Sequence, residues 1–417
     1  MGRGEIRPAP AKTIKKTTNR SQILGGRYRN LALDFPENYT TVATVSQKAI
    51  RENFLLFREQ CGPAVKICPA VKANAYGHGV SIVAPVLAEA GADMFAVANL
   101  VEADELAGIV PDKPILVFGP VQGRGAEKAA LAKAVKAGYR LTIADMAGAR
   151  VLAETASRQA MTARVHVKID TGMGRMGALY EPGLELVRFV SKQSNLFLEG
   201  LYTHFATADE TDLSFTREQL RCFNEFLQSA RGVAGDVPLI HAANSAAALR
   251  LKESHFSMVR PGISIYGYRP SRELCGLKAA QMLRPVMRLE SRVVLTKDLP
   301  VGHSCGYGRS FRAERPTRIG IVPIGYGDGY QRIFSNRAVM LVGGKVVPVI
   351  GRVSMDQTIL DLTDQPQVGP GDVVTVISER SNAPNSVEAL AELANTIPYE
   401  ITCLLGRRIA RRAAADF

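Results

Sequence analysis

The spacing of apolar and polar positions divides the chain into two unlike parts. Short apolar runs recur at 65–73 (VKICPAVKA), 94–100 (MFAVANL), 114–119 (PILVFG) and 140–145 (RLTIAD). They continue at 164–170 (RVHVKID), 198–205 (LEGLYTHF), 238–244 (PLIHAAN) and 258–267 (MVRPGISIYG). Between them lie stretches of helical pattern, such as 80–92 and 215–231, and another at 46–59 precedes the first run. The two periods predict strands alternating with helices. Eight strands separated by seven helical or helix-sized segments predict an N-terminal (β/α)8 barrel of TIM type. A doubly wound open sheet is the alternative, because counting strands does not establish closure.

Beyond about residue 280 the pattern is β-rich, punctuated by Gly and Pro, with one late helix near 387–396. That change predicts a mostly β C-terminal domain at 282–417, following a barrel domain at 39–281. Residues 1–38 are polar, basic and without helical period, and read as a disordered tail, with an organelle-targeting segment as the alternative.

Composition alters this picture little. The chain has 417 residues, 46% hydrophobic and 22% charged, ordinary for a globular protein. No window approaches the roughly 18 consecutive apolar residues of a membrane span, and the N-terminus has no apolar signal core. A net charge of +13 invites a nucleic-acid reading. The excess is concentrated at the termini, however, with Arg3, Arg7, Lys12, Lys15, Lys16, Arg20, Arg27 and Arg29 at one end and Arg407, Arg408, Arg411 and Arg412 at the other. Nucleic acid is therefore not the expected partner. Six cysteines form no CxxC pair and no metal-ligand spacing, which predicts reduced thiols in a cytoplasmic protein and no metal. Asn38-Tyr-Thr fits a glycosylation sequon that this compartment would not use.

In a parallel barrel, functional side chains gather at the C-terminal ends of the strands. Lys72 falls there on the first strand, closing an apolar run where a hydrated ammonium is out of place. Asp170 and Arg175 follow the fifth strand, His204 ends the sixth, Asn244 and Ser245 follow the seventh, and Arg260 and Gly262 lie on the eighth. Residues 172–177 (GMGRMG) match the dinucleotide pattern G-x-G-x-x-G after a strand, but "ALYEPG" follows, and its Pro-Gly is expected to break an early helix. On the fifth strand Val165, Val167 and Ile169 alternate with His166, Lys168 and Asp170, which turns a second lysine inward. An ion pair with Asp170 or another carboxylate would meet that cost, and so would chemical neutralisation.

Ordered blocks then carry a resemblance. "AVKANAYGHG" (70–79), "KIDTGMGRMG" (168–177), "YTHFATADE" (202–210), "HAANSAA" (241–247), "VRPGISIYG" (259–267), "IGYGDGY" (324–330), "GRVSMDQ" (351–357) and "IPYE" (397–400) resemble alanine racemases that use pyridoxal 5'-phosphate (PLP). The resemblance runs from about residue 40 to 412. It implies a barrel plus a β domain, with PLP held covalently on Lys72. It also implies a phosphate site formed by Tyr76, Ser245, Gly262, Ile263 and Tyr399, with Asn244 beside it. Arg260 would face the pyridine nitrogen, His204 would support the ring and Arg260, and Arg175 and the Met355 N–H would bind the substrate carboxylate. Lys72 and Tyr307 would be the two catalytic bases, and Lys168 is the lysine the family often carbamylates. L-Alanine and D-alanine are the implied substrates, D-alanine being a precursor of peptidoglycan. The implied assembly is a homodimer whose active sites are shared, in which the β domain of one subunit closes the barrel of the other. Ser354, where many relatives have cysteine, Gly327, where alanine is common, and the surroundings of Tyr307 depart from the pattern. A racemase of broader range, acting on serine or larger side chains, is the nearest rival. A non-catalytic PLP-binding barrel protein is the rival of a different class.

Overall fold

The structure, a computed structural model, describes residues 40–122 and 128–417. Residues 1–38, including the expected tail and the sequon asparagine, lie outside the described residues.

The eight expected strands all form, at Lys66–Ile67, Phe95–Val97, Ile115–Pro120, Arg140–Ile143, Ala163–Lys168, Leu196–Tyr202, Leu239–His241 and Met258–Val259. The six from Phe95–Val97 to Leu239–His241 make one parallel sheet in chain order. Lys66–Ile67 and Met258–Val259 pair with each other and join its two ends. On one side Ala70 bridges Ala96 and the Asp93 N–H bonds the Ile67 carbonyl at 3.0 Å. On the other, the Ser257 N–H reaches the Ile240 carbonyl at 3.1 Å and the Arg260 N–H the Ala243 carbonyl at 2.9 Å. Those bonds close the barrel and remove the open-sheet alternative.

The helices follow the apolar stripes. Gln47–Cys61 is capped by Ser46, whose hydroxyl accepts the Ala49 N–H at 3.0 Å, and it ends at Gly62. Its buried residues Ala49, Ile50, Asn53, Phe54 and Phe57 recur three and four apart, as a helix packed on one face requires. The helix after GMGRMG differs from expectation. Pro-Gly does not break it, because Tyr180–Lys192 carries Pro182 in its first turn, where a missing N–H costs nothing. The Gly172 and Gly174 N–H groups are bound instead by the Asp170 carboxylate, at 2.9 and 3.1 Å. Ala178 then returns to bridge Ile169, so the glycines shape a loop at the strand end.

The second part is built on a nine-stranded sheet. Val42–Ser46, which the division at 39 assigns to the barrel, lies in this sheet, antiparallel to Met287–Arg292 and parallel to Ala410–Ala414. The first and last described strands therefore pair in the second domain. Beside the expected late helix, Val387–Leu393, a second one forms at Pro398–Cys403. This short helix packs against the turn that carries Lys72 and brings Tyr399 to the barrel mouth.

Candidate active site

Lys72 opens a single turn, Lys72–Tyr76, with an unusual backbone. Ala73, Asn74, Ala75 and Tyr76 all have φ between 52° and 55°. Left-handed geometry costs a non-glycine residue roughly 1–2 kcal/mol, so four in succession persist only if neighbours impose them. Glu102 does so from the helix after the second barrel strand, Leu100–Ile109: one carboxylate oxygen accepts the Ala73 N–H at 2.8 Å and the other the Ala98 N–H at 2.7 Å. Asn74 Oδ1 accepts the Val80 N–H at 2.8 Å. From the second domain, Arg411 Nε donates to the Gly77 carbonyl at 2.9 Å. The same domain packs Thr402 so closely that a Cβ on Gly77 would stand 2.0 Å from the Thr402 oxygen. Gly77 also has φ 83°, so Gly77→Ala is disfavoured by both backbone and contact. The expected loss is about 2–4 kcal/mol of stability, read by urea unfolding, together with weaker cofactor retention.

The turn holds Lys72 in a partly dry position. Burial lowers its pKa, the neighbouring Arg175 lowers it further, and Cys403 and Glu102 oppose them. This is the electrostatic setting of an amine nucleophile.

Tyr76 lies at the centre of a cluster of hydroxyl and amide donors. Its hydroxyl covers Gly262, where a Cβ would come within 2.6 Å, and its ring lies 5.9 Å from that of Tyr399. Ser245 Oγ accepts the Gly262 N–H at 2.8 Å, and Ile263 follows, fully buried, at the start of the turn Ile263–Tyr266. Asn244 caps the helix Ser245–Arg250 by accepting the Ala247 N–H at 3.1 Å. These residues supply hydroxyl and N–H donors around a glycine cradle, the donor chemistry that suits a phosphate ester.

Opposite this cluster lie the cations. Arg260 is buried and donates to the Thr203 carbonyl at 2.8 Å, the Ala242 carbonyl at 3.1 Å, His241 Nδ1 at 2.8 Å and His204 Nδ1 at 3.4 Å. Burial lowers its pKa to about 10, which leaves it a full cation at neutral pH. His204 is held neutral, first by burial and then by Arg260, Lys168, Arg175 and Lys72. Lys168 is 4% exposed and sits over the Tyr202 ring at 5.6 Å, while Arg260 lies against the same ring at 5.2 Å. The expected partner Asp170 is turned into the glycine loop instead. Burial and the charges of Arg260 and Arg175 bring the Lys168 pKa down to about 8. Arg175, on that loop, is close enough to bear on Lys72, Lys168 and His204.

Tyr307 and Met355 stand elsewhere. Tyr307 belongs to the turn Tyr307–Arg309 of the second domain and is 69% exposed, and Met355 is 54% exposed. Gly308 beside Tyr307 packs on Arg352, Gly327 packs on Met355, and Tyr326 next to Gly327 is exposed as well. Within one chain, Tyr307 is not among the charged or titratable groups that bear on Lys72.

Glu102, Tyr202, His241 and Arg411 are absent from the candidate site residues that the sequence assigned. For Glu102 a signal existed, because Asn99 and Glu102 have the spacing of a capping box, and Asn99 Oδ1 does accept the Glu102 N–H at 3.0 Å. A separate cavity of about 850 Å³ is lined by Asp209, Arg269, Arg272, Glu388, Glu392 and Ile397 but not by Lys72 or Arg260. Four of its charges are paired with each other, Arg269 with Glu388 and Arg272 with Glu392.

A closed barrel with an amine nucleophile and a phosphate-type cradle at its mouth, joined to a β domain, defines a cofactor enzyme of two-domain type. The family descriptions "Alanine racemase, N-terminal domain" and "Alanine racemase, C-terminal domain" match residues 45–270 and 286–413. The alanine racemase 2 of Caldanaerobacter subterraneus subsp. tengcongensis is 38% identical over 380 residues, covering 90% of this chain and 95% of that one. The crystal structure of alanine racemase from D-cycloserine-producing Streptomyces lavendulae superposes with a TM-score of 0.84 at 34% identity, covering 91% of this chain and 98% of that one. A Bartonella henselae alanine racemase structure with covalently bound pyridoxal phosphate gives 0.79 at 27% identity, with coverage of 90% and 100%. The chain belongs to the alanine racemase family.

Proposed function

We propose that this protein is a PLP-dependent racemase that interconverts L-alanine and D-alanine and so supplies D-alanine for peptidoglycan in the cytoplasm. The observation that carries this reading is the strained turn holding Lys72, with its lowered proton affinity, beside the Tyr76–Gly262–Ser245 cradle. Tyr76, Ser245, Gly262, Ile263 and Tyr399 would bind the phosphate of PLP, and Lys72 would carry its aldehyde carbon. When bound, PLP supplies the electron sink that makes the α-proton of an attached amino acid removable at neutral pH.

The residues of the chain then divide the work. Inversion needs a proton acceptor on one face of the α-carbon and a donor on the other. Lys72 serves the D-alanine face and Tyr307 the L-alanine face. Arg175 and the Met355 N–H orient the substrate carboxylate. Arg260 would direct an N–H at the ring nitrogen, and because a guanidinium keeps its proton in proteins, it would hydrogen-bond that nitrogen without protonating it. Arg260 would thereby restrain the electron sink that the cofactor supplies, favouring return of the proton over side reactions. Tyr307 and Met355 would reach Lys72 from a second copy of the chain, and the exposure of both side chains on the second domain supports that assembly.

The test follows α-deuterium exchange and chirality over a panel of amino acids after PLP is added to the purified protein. Alanine should exchange and invert fastest. Serine turning over equally well would favour the broader racemase, and exchange without inversion would remove the two-base reading.

Lys168 fits carbamylation on physical grounds. Carbamate forms only from a neutral amine, and a pKa of about 8 leaves about a tenth of the side chains neutral at pH 7, against about one in three thousand for an ordinary lysine. The resulting anion would sit between Arg175 and Arg260. Lys168→Ala should lose most activity and regain part of it with added acetate or chloride. Intact activity in that variant, with no mass shift from CO2 on the wild-type residue, would count against the anion.

A further inference from the structure

A buried chain of polar side chains continues from Arg260 away from the site. His241 Nδ1 is 2.8 Å from Arg260 Nη1, His241 Nε2 is 2.8 Å from His166 Nδ1, and His166 Nε2 is 3.3 Å from Glu199 Oε2. Both imidazoles are fully buried, and Arg260 and Glu199 nearly so. The two ends assign every proton between them. A guanidinium only donates, so His241 must accept at Nδ1 and carry its proton on Nε2. That N–H is donated to His166 Nδ1, so His166 also carries its proton on Nε2 and donates it to the carboxylate. Reversing either ring would set two donors face to face in a dry interior.

The backbone is shaped to make the last link. The ladder between Ala163–Lys168 and Leu196–Tyr202 pairs Val165 with Leu198 and His166 with Gly200, which leaves Glu199 as the extra residue of a bulge. Bulges re-aim side chains. Strict alternation from inward Tyr202 and Gly200 would turn Glu199 out toward the helices, yet its carboxylate meets inward His166. Gly200 provides the room, since a Cβ there would stand 2.4 Å from His166 Nδ1. Glu199 Oε2 is also paired with Arg140 at 2.9 Å, and Oε1 with Arg164 at 3.1 Å. Burial would raise the Glu199 pKa, but the His166 hydrogen bond and Arg140 outweigh it and bring it to about 2.

We propose that Glu199 is a positioning residue for Arg260. Acting through His166 and His241, its carboxylate locks both imidazoles as Nε2–H tautomers and so holds the guanidinium, charged and correctly turned, against the ring nitrogen of the cofactor. The proposal rests on the reading of Arg260 given above. Without Glu199 the His166 N–H loses its acceptor, both rings can exchange tautomers, and Arg260 can lose its acceptor at His241.

Histidine ring-nitrogen NMR of isotope-labelled holoenzyme, with signals assigned by His166→Gln and His241→Gln, reads the tautomers directly. Wild type should show Nε2–H on both rings, and Glu199→Gln should populate Nδ1–H on His166. An Nδ1–H on either ring of the wild type would overturn the proposal, even if Glu199→Gln fails to fold. Kinetics supply the second arm. Glu199→Gln should lower kcat about tenfold with little change in KM, the usual size for a residue that orients another. In an Arg260→Lys background the same change should cost nothing further, because the route through Arg260 is already broken. An equal loss in both backgrounds would show that Glu199 acts independently and would sink the idea. Failure of wild type to bind PLP would instead remove the reading of Arg260, before any variant is made.

Discussion

Lys72→Ala should lower alanine racemisation by at least about four orders of magnitude, because the substitution removes two functions at once. The first is the covalent hold on PLP, whose aldehyde carbon the lysine amine would carry. The second is the proposed base for the D-alanine face, and a positioned general base alone contributes about 10²–10⁴-fold. The phosphate cradle survives the change, since Tyr76, Ser245, Gly262 and Tyr399 contact one another without the lysine side chain. The variant should therefore still bind PLP, more weakly, with no label on residue 72 after borohydride. Added methylamine should return a small fraction of activity by acting as a free amine base. In the wild type the borohydride label should map to Lys72, whose pKa the site lowers by burial and by Arg175. A label on Lys168 or another lysine, or a Lys72→Ala enzyme of near-normal rate, would move the chemistry away from this turn.

What the sequence disclosed about this fold depended on the range of each interaction. Barrel strands such as Ile115–Pro120 are buried on both faces, so each reads as a continuous apolar run. Closure was not legible, because the pairing of Lys66–Ile67 with Met258–Val259 joins segments about 190 residues apart through two residues each. Val42–Ser46 was assigned to the barrel for the same reason: both its partners lie more than 240 residues away. In the site, Lys72 was conspicuous as a lysine closing an apolar strand. Its left-handed turn was not, since residues 73–76 contain no glycine, and the geometry comes from Glu102 and Arg411. The inward face of the fifth strand was visible as alternation. The turning of Asp170 into the glycine loop was not, because Gly172 and Gly174 bind it through backbone N–H groups that composition does not reveal. Glu199 could be found only in three dimensions, because a bulge breaks the period that would have been used to place it.

The other large effect concerns two variants together. Lys72→Ala and Tyr307→Phe should each be nearly inactive when purified alone, yet, if the proposed dimer forms, a mixture of the two, dissociated and re-associated, should recover about a quarter of wild-type activity. The expectation follows from where one chain leaves its groups. Lys72 lies at the barrel mouth, while Tyr307 is 69% exposed on an outer face of the second domain. If that face closes the barrel of a second copy, each site takes Lys72 from one chain and Tyr307 from the other. A mixed dimer then has one site with both lesions and one with neither. Random pairing makes about half the dimers mixed, and half of their sites are intact, which gives about a quarter. Arg352 packs against Gly308 beside Tyr307, so the tyrosine turn is held by its own domain and would be delivered as a formed element. Mass spectrometry of the mixture should confirm heterodimers before the assay is read. Heterodimers without recovered activity would place both bases in one chain, and Tyr307 would then have to move to Lys72 within its own subunit.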